Sequence, residues 1–461
     1  MRLARAVESR LKNPVAAAAF TEAPRAAAPT WRAWAIATLL AGCYTLSYFD
    51  RQAISILVAP IKASLHLSDT QFGMLQGISF SVFYVLACLP LAWLADRYRR
   101  SRVMSACVAF WSVMAMLCAL TTNFWQLLLA RIGLASGESG LTPAALATLS
   151  ERFDPRRLAT ATSMFMLAPF IGGGLALSGG GALYGAVQHW DLASIPIVRH
   201  FEAWQIVFFL VGLPGLVAAG LLLLIVDRAR PKDAERTGTW ALFGFFRREW
   251  RFAAVYSLTM GMVMTLMSGY VTWLPAAIMR SKGIDERTLG ALFGPIYLVA
   301  GAAGTLSAGI IIMYRGGTDP VRAVLRYMST ASIILWPIAA LGLMASVLWQ
   351  ELALMGFALF LISSVTSLSS LPFQYVTPPH LRAQAIGLLS MVAALFGTGL
   401  GPVLAGILSD RLTFAPQPLS LALSLIGGIV VPLIVLLLLF LVRHHRKARL
   451  DLAVLRIDYP R

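Results

Sequence analysis

Two pairs of charged residues lie inside stretches that are otherwise apolar: Asp50 and Arg51 in the first hydrophobic segment, Arg131 and Glu138 in the fourth. Such groups are expensive in hydrocarbon, so they face an internal cavity or pair with one another, and they mark an ion or substrate path. Lost hydration discourages a carboxylate in a low-dielectric cavity from ionising and a nearby guanidinium encourages it, so small changes in either switch its protonation. Arginine stays charged throughout. On this chemistry Asp50 and Glu138 are the expected proton carriers, with Arg51 and Arg131 as partners that hold or release the proton. Either arginine also suits an anionic headgroup, because its fork matches phosphate or carboxylate. The competing reading, two buried pairs that only fix helix packing, carries a bilayer penalty seldom tolerated for structure alone.

The elements that must position these charges are membrane helices. With 58% hydrophobic and only 13% charged residues, the chain has the composition of a polytopic membrane protein. Runs near 20 residues, long enough to cross hydrocarbon, recur throughout. Twelve are expected: 34–58, 71–95, 103–121, 124–149, 159–187, 204–226, 252–279, 288–313, 323–346, 351–376, 384–408 and 419–442. The net charge of +17 is not a nucleic-acid signal. With a cytoplasmic N-terminus, thirty of the 38 Lys and Arg fall on the cytoplasmic side, which is the positive-inside pattern with both termini inside. The first 30 residues lack an apolar core with a cleavage pattern and read as a cytoplasmic tail. Cys43, Cys88, Cys107 and Cys118 all fall within spans and read as small packing residues, with no disulfide.

The basic stretch 227–251 divides the chain into bundles 34–226 and 252–442, flanked by tails 1–33 and 443–461. The halves are related. An offset of 217 lays Asp69, Gly73 and Gly77 on Glu286, Gly290 and Gly294; an offset of 225 lays Arg157, Gly172, Gly174 and Gly181 on Arg382, Gly397, Gly399 and Gly406. Six spans separate equivalents, so the repeat is parallel, about an axis along the membrane normal.

Leu94-Ala95-Asp96-Arg97-Tyr98-Arg99-Arg100 resembles the signature loop of the major facilitator superfamily, departing at Ala92 and Arg99, where glycine is common. The second copy keeps Gly309, Gly316 and Gly317 but has Met313 in place of the acid. Within that superfamily the chain resembles the spinster-like group through Tyr48-Phe49-Asp50-Arg51, Gly73-x-x-Gln76, Phe110-Trp111-Ser112, Arg131-x-Gly133-x-x-x-Gly137-Glu138 and the run Gly401 to Asp410. The resemblance spans 34–442 and implies an all-α membrane protein of twelve helices in two pseudo-symmetric six-helix bundles. It implies the same proton-carrying roles for Asp50 and Glu138. Eukaryotic members of the group carry lysophospholipids and sphingosine phosphates.

Helix geometry places Arg51 about 13 Å below the outer end of its span, and Arg131 and Glu138 about 10 and 21 Å below theirs. Arg131 and Glu138, seven apart, share one face, and all four groups are expected to face the cavity between the first and fourth spans. The second half has no ionisable residue deep in a span; Arg280 and Glu351 sit at ends, where snorkelling is expected to satisfy them. Its neutral polar groups, with two from the first half, give the cavity candidates Tyr48, Gln76, Tyr270, Tyr297, Ser367 and Gln374. Pro169, Gly172, Gly173 and Gly174 are candidates for helix bending, or equally for close packing. For cytoplasmic gating, Asp96 is expected at the N-terminus of the eleventh helix near Arg382, and Arg97 or Arg100 near Glu151 or Asp154.

The histidines have no partners at ligand spacing, and no hydrolase constellation is present, so neither metal, cofactor nor enzyme activity is expected. The expected function is a proton-coupled secondary transporter of an amphipathic solute, lysophospholipid-like or sphingolipid-like, working by alternating access in a bacterial inner membrane. Its expected partners are membrane lipid, protons and a small amphipathic substrate, with no nucleic acid, and its working unit a monomer. The alternatives are a multidrug or organic-anion transporter of the same fold, and a transporter-like sensor that binds without turnover.

Overall fold

The computed structural model describes residues 31–191, 199–226, 250–315, 319–377, 388–389 and 391–457, and among these the secondary structure is all helical. In the first half the spans are α1 (Trp31–Ile56) with α2 (Val58–Leu65), α3 (Asp69–Gln76) with α4 (Ile78–Arg97), α5 (Arg100–Cys118), α6 (Phe124–Glu138) with α7 (Leu141–Ser150), α8 (Pro155–Val187) and α9 (Ala203–Leu222). In the second they are α10 (Trp250–Lys282), α11 (Glu286–Arg315), α12 (Pro320–Leu341), α13 (Leu348–Ser367) with α14 (Leu371–Val376), a π turn (Ala393–Thr398) with α15 (Gly399–Arg411), and α16 (Pro418–Ile457). Sidedness is described relative to the arginine-rich end, where the even-numbered spans finish, and the opposite end.

Among the described residues, ten segments are long and apolar enough to cross a membrane by length and composition alone. The first and fourth spans are the two left out, and they carry the four buried charges. Each is interrupted four residues ahead of a proline, at Ile56 before Pro60 and at Ser139 before Pro143. A proline ring crowds the carbonyl four residues back and offers it no N–H, which weakens the helix at these two points, although Pro90, Pro169 and Pro275 are accommodated within continuous helices. The expected span 34–58 is therefore one helix to Ile56, with α2 running on beyond it to Leu65, and the expected span 124–149 is two helices. The eleventh span, expected as one helix over 384–408, has a π turn whose last residue, Thr398, stands four before Pro402. The twelfth helix continues past 442 to Ile457.

The matched glycines have a common physical reason. A side chain on Gly73 would strike the Pro402 carbonyl, and one on Gly77 the Gly399 carbonyl, so α3 lies against α15 backbone to backbone. The repeat equivalents do the same: Gly290 meets the Leu177 carbonyl and Gly294 the Gly174 carbonyl where α11 crosses α8. Gly406 meets the Asp69 carbonyl, and its equivalent Gly181 meets the Glu286 carbonyl. Small residues at these crossings permit close helix approach where lipid offers no hydrophobic drive. The second span on the eleventh and the eighth on the fifth are thus one interface used twice, joining the two pseudo-symmetric bundles at the end opposite the arginine-rich loops.

Candidate functional site

Between the halves lies a cavity of about 490 Å³. Of the four buried charges only Arg51 lines it. The expectation that all four face it is corrected by helix geometry, because neighbours Asp50 and Arg51 point about 100° apart on one helix. Asp50, Arg131 and Glu138 lie behind Arg51, inside the first bundle, and are 3%, 0% and 2% exposed.

The pairing also crosses helices. Arg51 Nη2 donates to Glu138 Oε2 at 2.5 Å, the only ion pair within the cluster among the described residues. The Arg51 guanidinium is wrapped by rings, 4.7 Å from the centroid of Tyr48, 4.4 Å from Phe80 and 5.5 Å from Tyr84. Such faces stabilise a desolvated cation. Arg131 donates to Gln76 Oε1, and the Gln76 amide donates onward to Ser55 Oγ at 3.2 Å. Gln76 lines the cavity as Arg51 does. Two cavity-lining polar groups are therefore each bonded to one buried charge. Asp50 Oδ1, Glu138 Oε1, Arg131 Nε and Nη1, and the Trp111 indole Nε1 are buried without hydrogen-bond partners among the described residues. Glu138, Arg131 and Trp111 lie close enough to act on the charge of Asp50.

The opposite wall is neutral. Tyr297 and Ser367 line the cavity as expected sites, beside Met264, Met267 and Thr366. Ser367 donates to the Ser364 carbonyl at 2.9 Å and Thr366 to the Ser363 carbonyl at 3.0 Å, so their donors are engaged within the helix. That wall offers mainly methyl, thioether and ring surface. Tyr270 does not belong to it: the ring is fully buried, and its hydroxyl donates to the Ala339 carbonyl at 2.8 Å, tying α10 to α12. Pro169 sits within a continuous α8 and lines the cavity. Gly172 lets α8 approach the backbone of Thr45 and the side chain of Tyr48, Gly173 takes the edge of Tyr297, and Gly174 faces Gly294 and Leu298. Close packing accounts for all three glycines.

At the arginine-rich end Arg100 pairs with Glu151, and Arg97 stacks over Trp93 with its charge 5.4 Å from the ring centroid. Arg382 and the side chains of Asp96 and Gln374 lie outside the described residues. The opposite end holds a cluster that the sequence reading missed. Asp69 accepts from Arg280 through both nitrogens, at 2.7 and 2.8 Å, from Ser409 Oγ at 2.6 Å, and from Lys62. Asp410 in turn accepts from the Asp69 and Thr70 amides at 3.0 and 2.8 Å, capping α3 from the other half. Arg280 thus closes a latch between bundles rather than snorkelling. Glu351 is not satisfied by snorkelling either, since it is fully buried and paired with Lys282 at 3.0 Å. In the sequence Asp69 marked the repeat, Asp410 closed the run from Gly401 and Arg280 ended the seventh span, but nothing there brought the three together.

A two-bundle membrane fold with a central cavity, backed by buried charges and closed at one end by a latch, defines a secondary-transporter architecture. The Major Facilitator Superfamily pattern matches residues 40–395, and the chain belongs to that family and, within it, to the spinster-like group. An MFS-type efflux pump of Mycolicibacterium smegmatis is 30% identical over 406 residues, 86% of this chain and 89% of that protein. The sphingosine-1-phosphate transporter of Danio rerio is 23% identical over 393 residues, 80% of this chain and 74% of that one. The crystal structure of a bacterial homolog of the human lysosomal transporter Spinster, inward-facing and unoccupied, superposes with a TM-score of 0.73 at 25% identity, covering 89% of this chain and 95% of its own. The chain is a multi-pass integral membrane transporter, and its family and fold are those of transporters rather than enzymes.

Proposed function

We propose that the protein is a proton-coupled, alternating-access carrier of an amphipathic anion, of the lysophospholipid or sphingolipid-phosphate kind. It would sit in a bacterial inner membrane with the arginine-rich end cytoplasmic, as the positive-inside pattern requires. The observation that carries the reading is the double attachment of Arg51, which faces the cavity and bonds the buried Glu138 at 2.5 Å. An anionic headgroup that takes the guanidinium competes with Glu138 for it. A buried Glu138 carboxylate without its cation is an uncompensated charge that a proton neutralises, so anion and proton binding favour each other, and by linkage the effect is reciprocal. Gln76 relays the same competition to Arg131 and Asp50. The neutral wall of methionines, Tyr297 and engaged hydroxyls suits the apolar tail.

The test is uptake into liposomes with and without a pH gradient over a panel of lysolipids and drugs. The proposal expects a lysophospholipid to accumulate with the proton, and Glu138→Gln to keep binding while losing gradient-driven accumulation. A second reading, export of multiple organic solutes, is favoured by the ring-rich cavity and by the efflux pump among the relatives. A cationic drug would oppose protonation at the same cluster, so proton exchange rather than co-transport would be its signature.

A further inference from the structure

On the lipid-facing side of the first bundle, α4, α5 and α6 leave a groove of about 630 Å³ that shares no residue with the central cavity. Its walls are Leu91 and Leu94 on one side and Val103 and Phe110 on the other; its floor is Ser136 and Gly137. Ala87 and Ala106 leave it open, and Gly137 lets the floor helix pack closely on α5, since a Cβ there would stand 2.9 Å from that of Trp111. The stretch of α5 from Arg102 to Phe110 is about 12 Å long, so the groove runs from headgroup level through most of one leaflet of about 15 Å. In that setting an apolar groove is filled by hydrocarbon. At its arginine-rich mouth stand Tyr98 and Arg102. Arg102 is exposed and has no hydrogen bond or ion pair among the described residues, unlike Arg100 beside it, which pairs with Glu151. A basic group between spans on that side suits an anionic lipid headgroup.

We propose that this groove is a binding site for one anionic phospholipid, with an acyl chain lying between α4 and α5 and its phosphate on Arg102. The site does not depend on the identity of the transported solute.

Native mass spectrometry of the full chain, titrated with phosphatidylglycerol or phosphatidylcholine of matched chains, tests it. The wild type should hold one phosphatidylglycerol with about fivefold preference, the contribution of one arginine near a headgroup. Arg102→Gln should abolish the preference, and Ala106→Trp, at an exposed position outside the core, should weaken both lipids. Ala87→Phe replaces it should that variant fail to fold, and unchanged melting temperatures verify each protein. Retention of the preference in Arg102→Gln, its equal loss in Arg326→Gln at another exposed site on the same end, or wild-type binding by the groove-filled variant would overturn the proposal. So would a dimer that Ala106→Trp dissolves, since the occupant would then be a second copy of this chain.

Discussion

Removing Arg280 should unlatch the end that the structure holds closed. Only contacts that cross between bundles bias the equilibrium between closed and open, so the Lys62 contact to Asp69, made within one bundle, drops out. Arg280 contributes a two-pronged pair at 2.7 and 2.8 Å to a carboxylate whose side chain is 5% exposed, while its own is 39% exposed. Losing one partner of a fully buried pair costs about 3–5 kcal/mol. Here water reaches the arginine and Lys62 remains beside Asp69, so Arg280→Gln should cost about 2 kcal/mol of closed-state preference. At about 1.4 kcal/mol per decade that is roughly a 30-fold shift, which would raise an open population of about one in a hundred to about one in four. Spin labels at Ala63, exposed on α2, and Phe414, exposed beyond α15, span the latch. Double electron–electron resonance on a background lacking the four native cysteines should show a longer-distance component in Arg280→Gln. An unchanged distance distribution, in protein that still folds, would refute the argument that the latch sets this equilibrium.

Asp410→Ala removes the cap that α3 receives from the other half and should lower closed-state preference by about 1 kcal/mol, a roughly fivefold population shift in the same experiment. Gly77→Val cannot close against the Gly399 carbonyl, so it should populate the open arrangement without touching any charge, read from the same labels. Arg51→Ala should lose both headgroup binding and coupling, whereas Asp50→Asn should lose only gradient-driven accumulation; full pH-dependent transport by an Asp50→Asn, Glu138→Gln double variant would sink the coupling mechanism. Glu351→Gln leaves Lys282 without its buried counter-charge and should destabilise the protein by about 3 kcal/mol, read as a fall in melting temperature with the transport rate of surviving protein unchanged.

The spans and their two-fold relation were legible because hydrocarbon demands long apolar runs, and because close backbone crossings admit little besides glycine. Which helices cross was not legible. The offset pairs Gly73 with Gly290, but it does not say that each meets the carbonyl of a helix from the opposite half. The buried charges were legible by type but not by which arginine meets which carboxylate. Arg51 and Glu138 stand 87 positions apart and meet at 2.5 Å, while neighbours Asp50 and Arg51 face different surroundings. Direction around a helix, not proximity in the chain, decides such pairs. Arg280 failed for another reason, since a charge at a span's end reads as solvated unless its partner in the other bundle is known.

The same distinction explains the division of labour between the halves. The first bundle keeps its charges deep, where one lines the cavity and three do not, and among the described residues Arg51 and Gln76 are the cavity-lining groups hydrogen-bonded to them. The second bundle keeps Lys282 and Glu351 as a pair that does not line the cavity, and contributes to the cavity mainly apolar surface. The interface between bundles is nearly symmetric in backbone, Gly73 and Gly77 answering Gly290 and Gly294, but asymmetric in charge. Asp69 is clasped by Arg280, while its repeat equivalent Glu286 makes no ion pair among the described residues. The charge that holds this end closed is therefore concentrated at the second–eleventh crossing. Installing a cation opposite Glu286 should therefore slow opening of the latched end without altering its closed structure, and a rate unaffected by that second clasp would mean that the asymmetry has no mechanical role.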